Sequence, residues 1–172
     1  MSHRYSNKLI LTGEEKALAA FKDAVAVKGQ EVVLGLGRIV PVPTELKEKP
    51  AWHGSWEAHE WKSQHWGPTA ILNSTVDGIP ASGRLVYRFD SSNSELHSGF
   101  MKALSEQHPA VNMVYFYDSS GDSREGVQFV KAGKNYSGIE NTGTKYSGEL
   151  FAAGGQLRDR SAEKLSRHSN EL

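Results

Sequence analysis

The same local pattern occurs twice in this chain. Asn7 to Thr12 (Asn-Lys-Leu-Ile-Leu-Thr) reads as a short strand, and Thr12-Gly13-Glu14-Glu15 has the Thr-x-x-Glu spacing of a capping box. Leu18, Phe21, Ala24 and Val25 then recur at helical spacing to about Val27, where Lys28-Gly29 stops the run. Later, Arg84 to Asp90 places Leu85, Tyr87 and Phe89 on one face at period two, as a half-buried strand does. Ser92-Asn93-Ser94-Glu95 is a second capping box, and Leu96, Phe100, Ala103 and Leu104 form a helical stripe that ends at His108-Pro109. Two strand–cap–helix units predict an α+β fold with internal pseudo-symmetry.

The remaining segments fill in a sheet. Thr69 to Val76 is extended, Asp77 to Gly83 is a turn, and Val111 to Tyr117 is rich in β-formers on both faces, which predicts a covered central strand. Asp118 to Asp122 turns the chain, and Gly126 to Lys131 returns as a hairpin partner. Glu31 to Val40 reads as one more strand, leaving through Pro41-Val42-Pro43. From Gly133 onward Gly, Ser and Asn dominate, and Gln156 to Leu172 is charged and weakly periodic, the pattern of a frayed helix or disordered tail. This order predicts a ferredoxin-like sandwich over residues 1–135, an antiparallel sheet with two helices on one face. A Trp-rich insertion at about 41–68 is the expected cover for the other face, and 136–172 is a Gly/Ser-rich segment with a flexible charged C-terminal tail.

The four tryptophans, Trp52, Trp56, Trp61 and Trp66, all lie in that insertion. Tryptophan has a large area to bury and is enriched at interface hot spots, so the cluster reads as sheet packing, as a partner surface or as a stacking site for a sugar or base. His53, His59 and His65 are six apart, which on a helix rotates each by about 240° and denies them a common face. No His-Glu-x-x-His is present, and they read as surface or packing histidines. Gly35-Leu36-Gly37 lacks the third glycine of a dinucleotide fingerprint and reads as a flexible strand or bulge. Asp118, Asp122 and Glu125 fail the EF-hand spacing and read as a polar hairpin. There is no Walker loop and no Gly-x-Ser-x-Gly elbow. No catalytic, cofactor-binding or metal-ligating residues are assigned, and no cofactor is expected.

Composition narrows the function classes. Twenty basic and twenty acidic residues cancel, so there is no basic excess to argue for duplex DNA. The chain has no cysteine, which removes disulfides and thiolate metal sites. No apolar run approaches the roughly 20 residues that span a bilayer, and Met1 to Ser6 lacks a signal-peptide apolar region, so a cytoplasmic location is expected. Tyr87, Phe89, Tyr115 and Tyr117 are strand aromatics of the kind that stack bases on ferredoxin-like sheets, but the RNP consensus fails around Leu9-Ile10-Leu11 and Gly83 to Tyr87.

Several short motifs, taken in order, resemble a known family. They are Asn7 to Gly13, the hydrophobic-Pro-x-Pro step in Ile39 to Leu46, Glu60-Trp61 with His65-Trp66-Gly67-Pro68-Thr69-Ala70, the paired strand and helix, and the final hairpin with Gly121 and Gly126. Together, over roughly residues 5 to 135, they look like the Api-like family of phage- and plasmid-borne proteins, which carries a ferredoxin-like domain and has no established activity. The chain departs from that pattern at His65 and at Pro68-Thr69, where a polar residue and Thr-Lys are usual. The resemblance implies a mobile-element context in a bacterial host.

The leading expectation is a non-enzymatic accessory protein that binds a host or element-encoded protein, in its most concrete form an antagonist of a restriction or CRISPR defence. Trp52, Trp56, Trp61, Trp66, Tyr136 and Tyr146 are its candidate partner-binding residues. The alternative is a single-stranded nucleic-acid-binding module using the sheet or the basic tail residues Arg158, Arg160, Lys164 and Arg167. An enzyme would need a pocket gathering Glu57, Glu60 and His59 or His65.

Overall fold

The computed structural model describes residues 4–27, 34–47, 51–119, 121 and 124–142. Six strands form one antiparallel sheet: β1 (Arg4–Thr12), β2 (Ile71–Asp77), β3 (Arg84–Ser92), β4 (Asn112–Ser119), β5 (Arg124–Lys131) and β6 (Lys134–Thr142), in the spatial order β2-β3-β1-β4-β5-β6. The helices are α1 (Glu15–Val25), the single turns α2 (Leu36–Ile39) and α3 (Thr44–Lys47), then α4 (Ala51–His65) and α5 (Ser98–Gln107). The fold is therefore mixed α and β with an antiparallel sheet, and no helix among the described residues is long and apolar enough to cross a membrane.

Side-chain alternation sorts the strands into two faces. In β1, Leu9 pairs across to Tyr87 and Tyr115, while Leu11 pairs to Leu85 and Met113. These residues join Leu18, Phe21 and Val25 of α1 and Phe100, Met101 and Leu104 of α5 in the main core. The opposite face has its own smaller cluster, Ile10, Val86, Val114 and Phe116, with Val127 and Phe129 packed against it. The apolar doubling expected of β4 is thus present: the strand is buried on both sides.

The helices begin where the core requires, and neither expected capping box forms. Thr12 is still in the sheet, paired with Arg84 and Asn112, and α1 starts behind Glu14 with no side-chain cap. Ser92 is drawn the other way. Its hydroxyl accepts from the Ala70 N–H at 3.2 Å and meets Thr69 Oγ1 at 3.2 Å, while Glu95 accepts from Arg124 at 3.3 Å. The helix α5 therefore starts later, behind His97, whose Nδ1 accepts from the Gly99 N–H. Leu96 sits outside the helix, fully buried, with its N–H donated to the Tyr115 hydroxyl at 2.7 Å.

Two further segments differ from the sequence reading. Of the strand expected over Glu31 to Val40, residues 31–33 lie outside the described residues, and Leu36–Ile39 is a helical turn. The Gly35 N–H binds Val25 O at 2.8 Å and Arg38 Nε binds Ala24 O at 3.0 Å, so this stretch docks on the end of α1 instead of pairing with a strand. The added strand β6 was hidden by its composition (Lys-Asn-Tyr-Ser-Gly-Ile-Glu-Asn-Thr). It closes a hairpin on β5 through Ala132 and Gly133, both at positive φ, and the Gly133 N–H bonds to Ser105 Oγ of α5 at 2.9 Å. Edge pairing and this dock supply what β-propensity does not.

A buried polar network joins β1, β3 and β4. Asn7 donates to Tyr5 O, Phe89 O and Ser91 Oγ, and the Tyr115 hydroxyl donates to Asn7 Oδ1 at 2.6 Å. Burial pushes the Tyr115 phenol well above its ordinary range, so it stays protonated and both donates and accepts.

Candidate functional site

The tryptophan segment is helical, and its indoles have separate fates. Trp52 lies in the first turn of α4, with its side chain outside the described ones. A five-residue step turns successive side chains by about 140°, so Trp56, Trp61 and Trp66 cannot share a face.

Trp66, just past the helix, is a core residue at 8% exposure. Its Nε1–H donates to Val40 O at 2.8 Å, its ring lies over Gly37, and its carbonyl accepts the His97 N–H at 2.8 Å. Lys62 approaches the ring at 5.6 Å, and Trp61 meets it edge-on at 5.9 Å. Gly67 follows at φ +93°, where an added Cβ would run into Glu95 O. The end of α4, the α2 turn and the β3–α5 connection are thereby tied together. Trp61 is half-buried beneath this joint and stacks on His65 at 4.1 Å, with His65 Nδ1 2.8 Å from Trp61 O.

Trp56 is different. It is 72% exposed and stacks on His59 with centroids 6.3 Å apart. Glu57, His59, Glu60, Gln64 and His65 are all exposed around it on α4. The polar groups that an enzyme would have to gather are therefore spread along a solvated helix. Among the described residues, no group of three or more His, Asp or Glu is placed to hold a metal ion.

The described part of the insertion packs on the helix side and not on the second sheet face expected of it. Trp61 and Trp66 join the helix-side core, together with Leu36, Ile39, Val42 and Leu46, and among the described side chains no tryptophan belongs to the Ile10–Phe116 cluster. The reason is the Val40 carbonyl and the Gly37 surface, which give Trp66 a partner and a flat wall on the helix side.

The sequence-predicted base-stacking aromatics are also accounted for. Tyr87, Phe89, Tyr115 and Tyr117 are buried in the main core, so none presents a ring to a base. Tyr136 occupies a position on β6, with its side chain outside the described ones. Tyr146, Arg158, Arg160, Lys164 and Arg167 lie outside the described residues. The residues that sequence reasoning missed are those that build the joint: Gly37, Val40, Gly67 and His97. Only the Trp-Gly-Pro step hinted at it.

No protein-family model matches the chain, and comparison with curated proteins gives no match. Among solved structures, the fold is similar to the crystal structure of a protein api92 from Yersinia pseudotuberculosis, of the family DUF1281. That likeness has a TM-score of 0.54 at 10% identity and covers 84% of this chain and 99% of the other, so it concerns the fold alone.

Proposed function

We propose that the chain is a non-enzymatic binding protein whose partner, another protein, is engaged through the exposed middle of α4 around Trp56. The supporting observation is the contrast in exposure: Trp56 is 72% exposed on a helix whose C-terminal end is fixed by Trp66. A large indole left in water on a firmly seated helix is the composition of an interface hot spot, and the His59 stack limits its rotamer freedom before binding. Glu57, Glu60 and Gln64 supply a polar rim.

The strand order β2-β3-β1-β4, with α1 and α5 packing on one face, supports a ferredoxin-like reading of the first four strands. The likeness to api92 supports the fold alone; the mobile-element context in a bacterial host rests on the sequence motifs that resemble the Api-like family. Antagonism of a restriction or CRISPR system is the form that this context suggests for the partner.

Affinity capture from a bacterial lysate tests the reading, with the wild-type chain and Trp56→Ala as parallel baits. A stoichiometric partner retained by the wild type and lost at least tenfold by Trp56→Ala supports it. The reading fails if no partner is recovered or if both baits retain it equally.

A further inference from the structure

The exposed middle of α4 sets an open aromatic ring beside a carboxylate. The rings of Trp56 and His59 are within 10° of parallel, with centroids 6.3 Å apart. Parallel rings at that separation are laterally offset, so His59 overlaps the indole at its edge and leaves a ring face open, in keeping with the 72% exposure of Trp56. Glu60, also exposed, follows Trp56 by one helical turn and lies on the same helix face. Helical side chains lean toward the N-terminus, which carries the Glu60 carboxylate back toward the indole. Among the described residues, its partner is the neutral amide of Gln64 at 3.5 Å. The lysine of α4, Lys62, is turned to the joint, with its Nζ 5.6 Å from the Trp66 ring, and the helix carries no arginine. Aromatic surface and negative charge therefore stand together in water.

We infer that the partner protein places an arginine side chain here, its guanidinium stacked on the Trp56 indole and its N–H groups donating to Glu60. This rests on the proposal that α4 docks a protein partner, and it names what that partner presents. An aliphatic side chain laid on Trp56 would strip water from Glu60 without supplying a counter-charge, which is costly. An acidic side chain is repelled. A guanidinium meets both demands at once: it is planar and weakly hydrated, it is attracted to the ring face, and its fork of donors matches a carboxylate. A lysine ammonium is a compact point charge that holds its water more tightly and cannot stack.

The chain already sets cations on its own rings. Lys62 lies over Trp66, and Lys8 Nζ is 6.0 Å from the Phe116 ring. At Trp56 the described ring contact is His59, and the ring face is left to water. Twenty basic and twenty acidic residues cancel over the whole chain, so attraction of an arginine to α4 is local and not a pull of the net charge. Neutralising Glu60 alone should therefore reveal it.

The test titrates the full chain, labelled with 5-fluorotryptophan, with a short peptide of alternating glycine and arginine. Counterparts carry lysine, or citrulline, which keeps the planar shape of arginine and loses its charge. The arginine peptide is expected to shift the Trp56 resonance saturably and to bind at least about twofold more tightly than the lysine peptide. The citrulline peptide should leave that resonance in place, and Trp66 should not respond to any of the three. Glu60→Gln, which keeps the shape of the side chain, should weaken the arginine peptide by about threefold. The inference is overturned if the citrulline or lysine peptide binds as tightly as the arginine peptide, if Trp56 does not shift, or if Glu60→Gln leaves the affinity unchanged. The docking proposal is read separately, by capture with the Trp56→Ala bait. A partner lost by that bait while the arginine peptide leaves Trp56 unmoved keeps the docking helix and removes the arginine.

Discussion

Trp66 and Trp56 are the same residue on one short stretch of chain, and they have almost nothing else in common. Trp66 is 8% exposed, with its N–H satisfied by Val40 and its ring set against Gly37; Trp56 is 72% exposed, and its described ring contact is the exposed His59. Clustering in sequence therefore does not mean sharing a role. What divides them is the local supply of partners: a free backbone carbonyl and a side-chain-free surface on the joint side, and water on the other. The difference separates the residues that hold α4 in place from the residue that α4 displays.

The comparison breaks most visibly by mutation at the joint. Trp66→Ala removes the indole, opens a cavity beside Gly37 and leaves Val40 O without its donor, and should cost about 3–5 kcal/mol by denaturant unfolding. Trp56→Ala should stay within about 0.5 kcal/mol of wild type. If the two cost the same, the division of labour is wrong. Gly67→Ala attacks the joint through the backbone. It combines a positive φ with a Cβ directed at Glu95 O, and should cost more than about 2 kcal/mol in the same experiment.

Gly37 offers a subtler check on how tightly the ring is walled. A Cβ there would lie 3.6 Å and 3.7 Å from two Trp66 ring atoms, an ordinary van der Waals contact, in a helical position where alanine is favoured. Gly37→Ala should be neutral or stabilising by up to about 1 kcal/mol. A clear loss of stability would place the indole closer to the Gly37 backbone than these distances allow.

The smallest effect expected is one of pH. Burial lowers the His108 pKa, where the ring meets Phe21 edge-on at 4.9 Å. The unfolded chain then takes up the proton first, so stability contributed by neutral His108 is complete above its ordinary pKa of about 6.5 and is lost as pH falls through the depressed folded value. His108→Gln should flatten that slope, whereas Trp56→Ala should leave it unchanged, because Trp56 is exposed and its described ring contact is His59. Unfolding curves between neutral and mildly acidic pH read both.

Much of the sheet was legible in the sequence because alternation survives wherever one face is buried. Leu85, Tyr87 and Phe89 are such a case, and Leu18, Phe21 and Val25 are its helical counterpart. The expected capping boxes misled because Ser92 and Glu95 carry groups that tertiary partners, Ala70 and Arg124, claim first. The turn Leu36–Ile39 was misread because Leu34 and Leu36 are spaced like a strand, while Ile39 and the docking of Gly35 on Val25 O decide for a helix. At the candidate site, the five-residue steps from Trp56 to Trp61 and from Trp61 to Trp66 already show that these three cannot face the same way. Which one is buried depends on Val40 and Gly37, which no spacing rule connects to Trp66.

The most direct test of the account is solvent access at each indole. With 5-fluorotryptophan incorporated and the four resonances assigned by single Trp→Phe changes, a soluble gadolinium chelate is titrated in. The account predicts that the Trp56 resonance broadens first and strongly while that of Trp66 holds. Equal broadening of the two, or protection of Trp56, would contradict it.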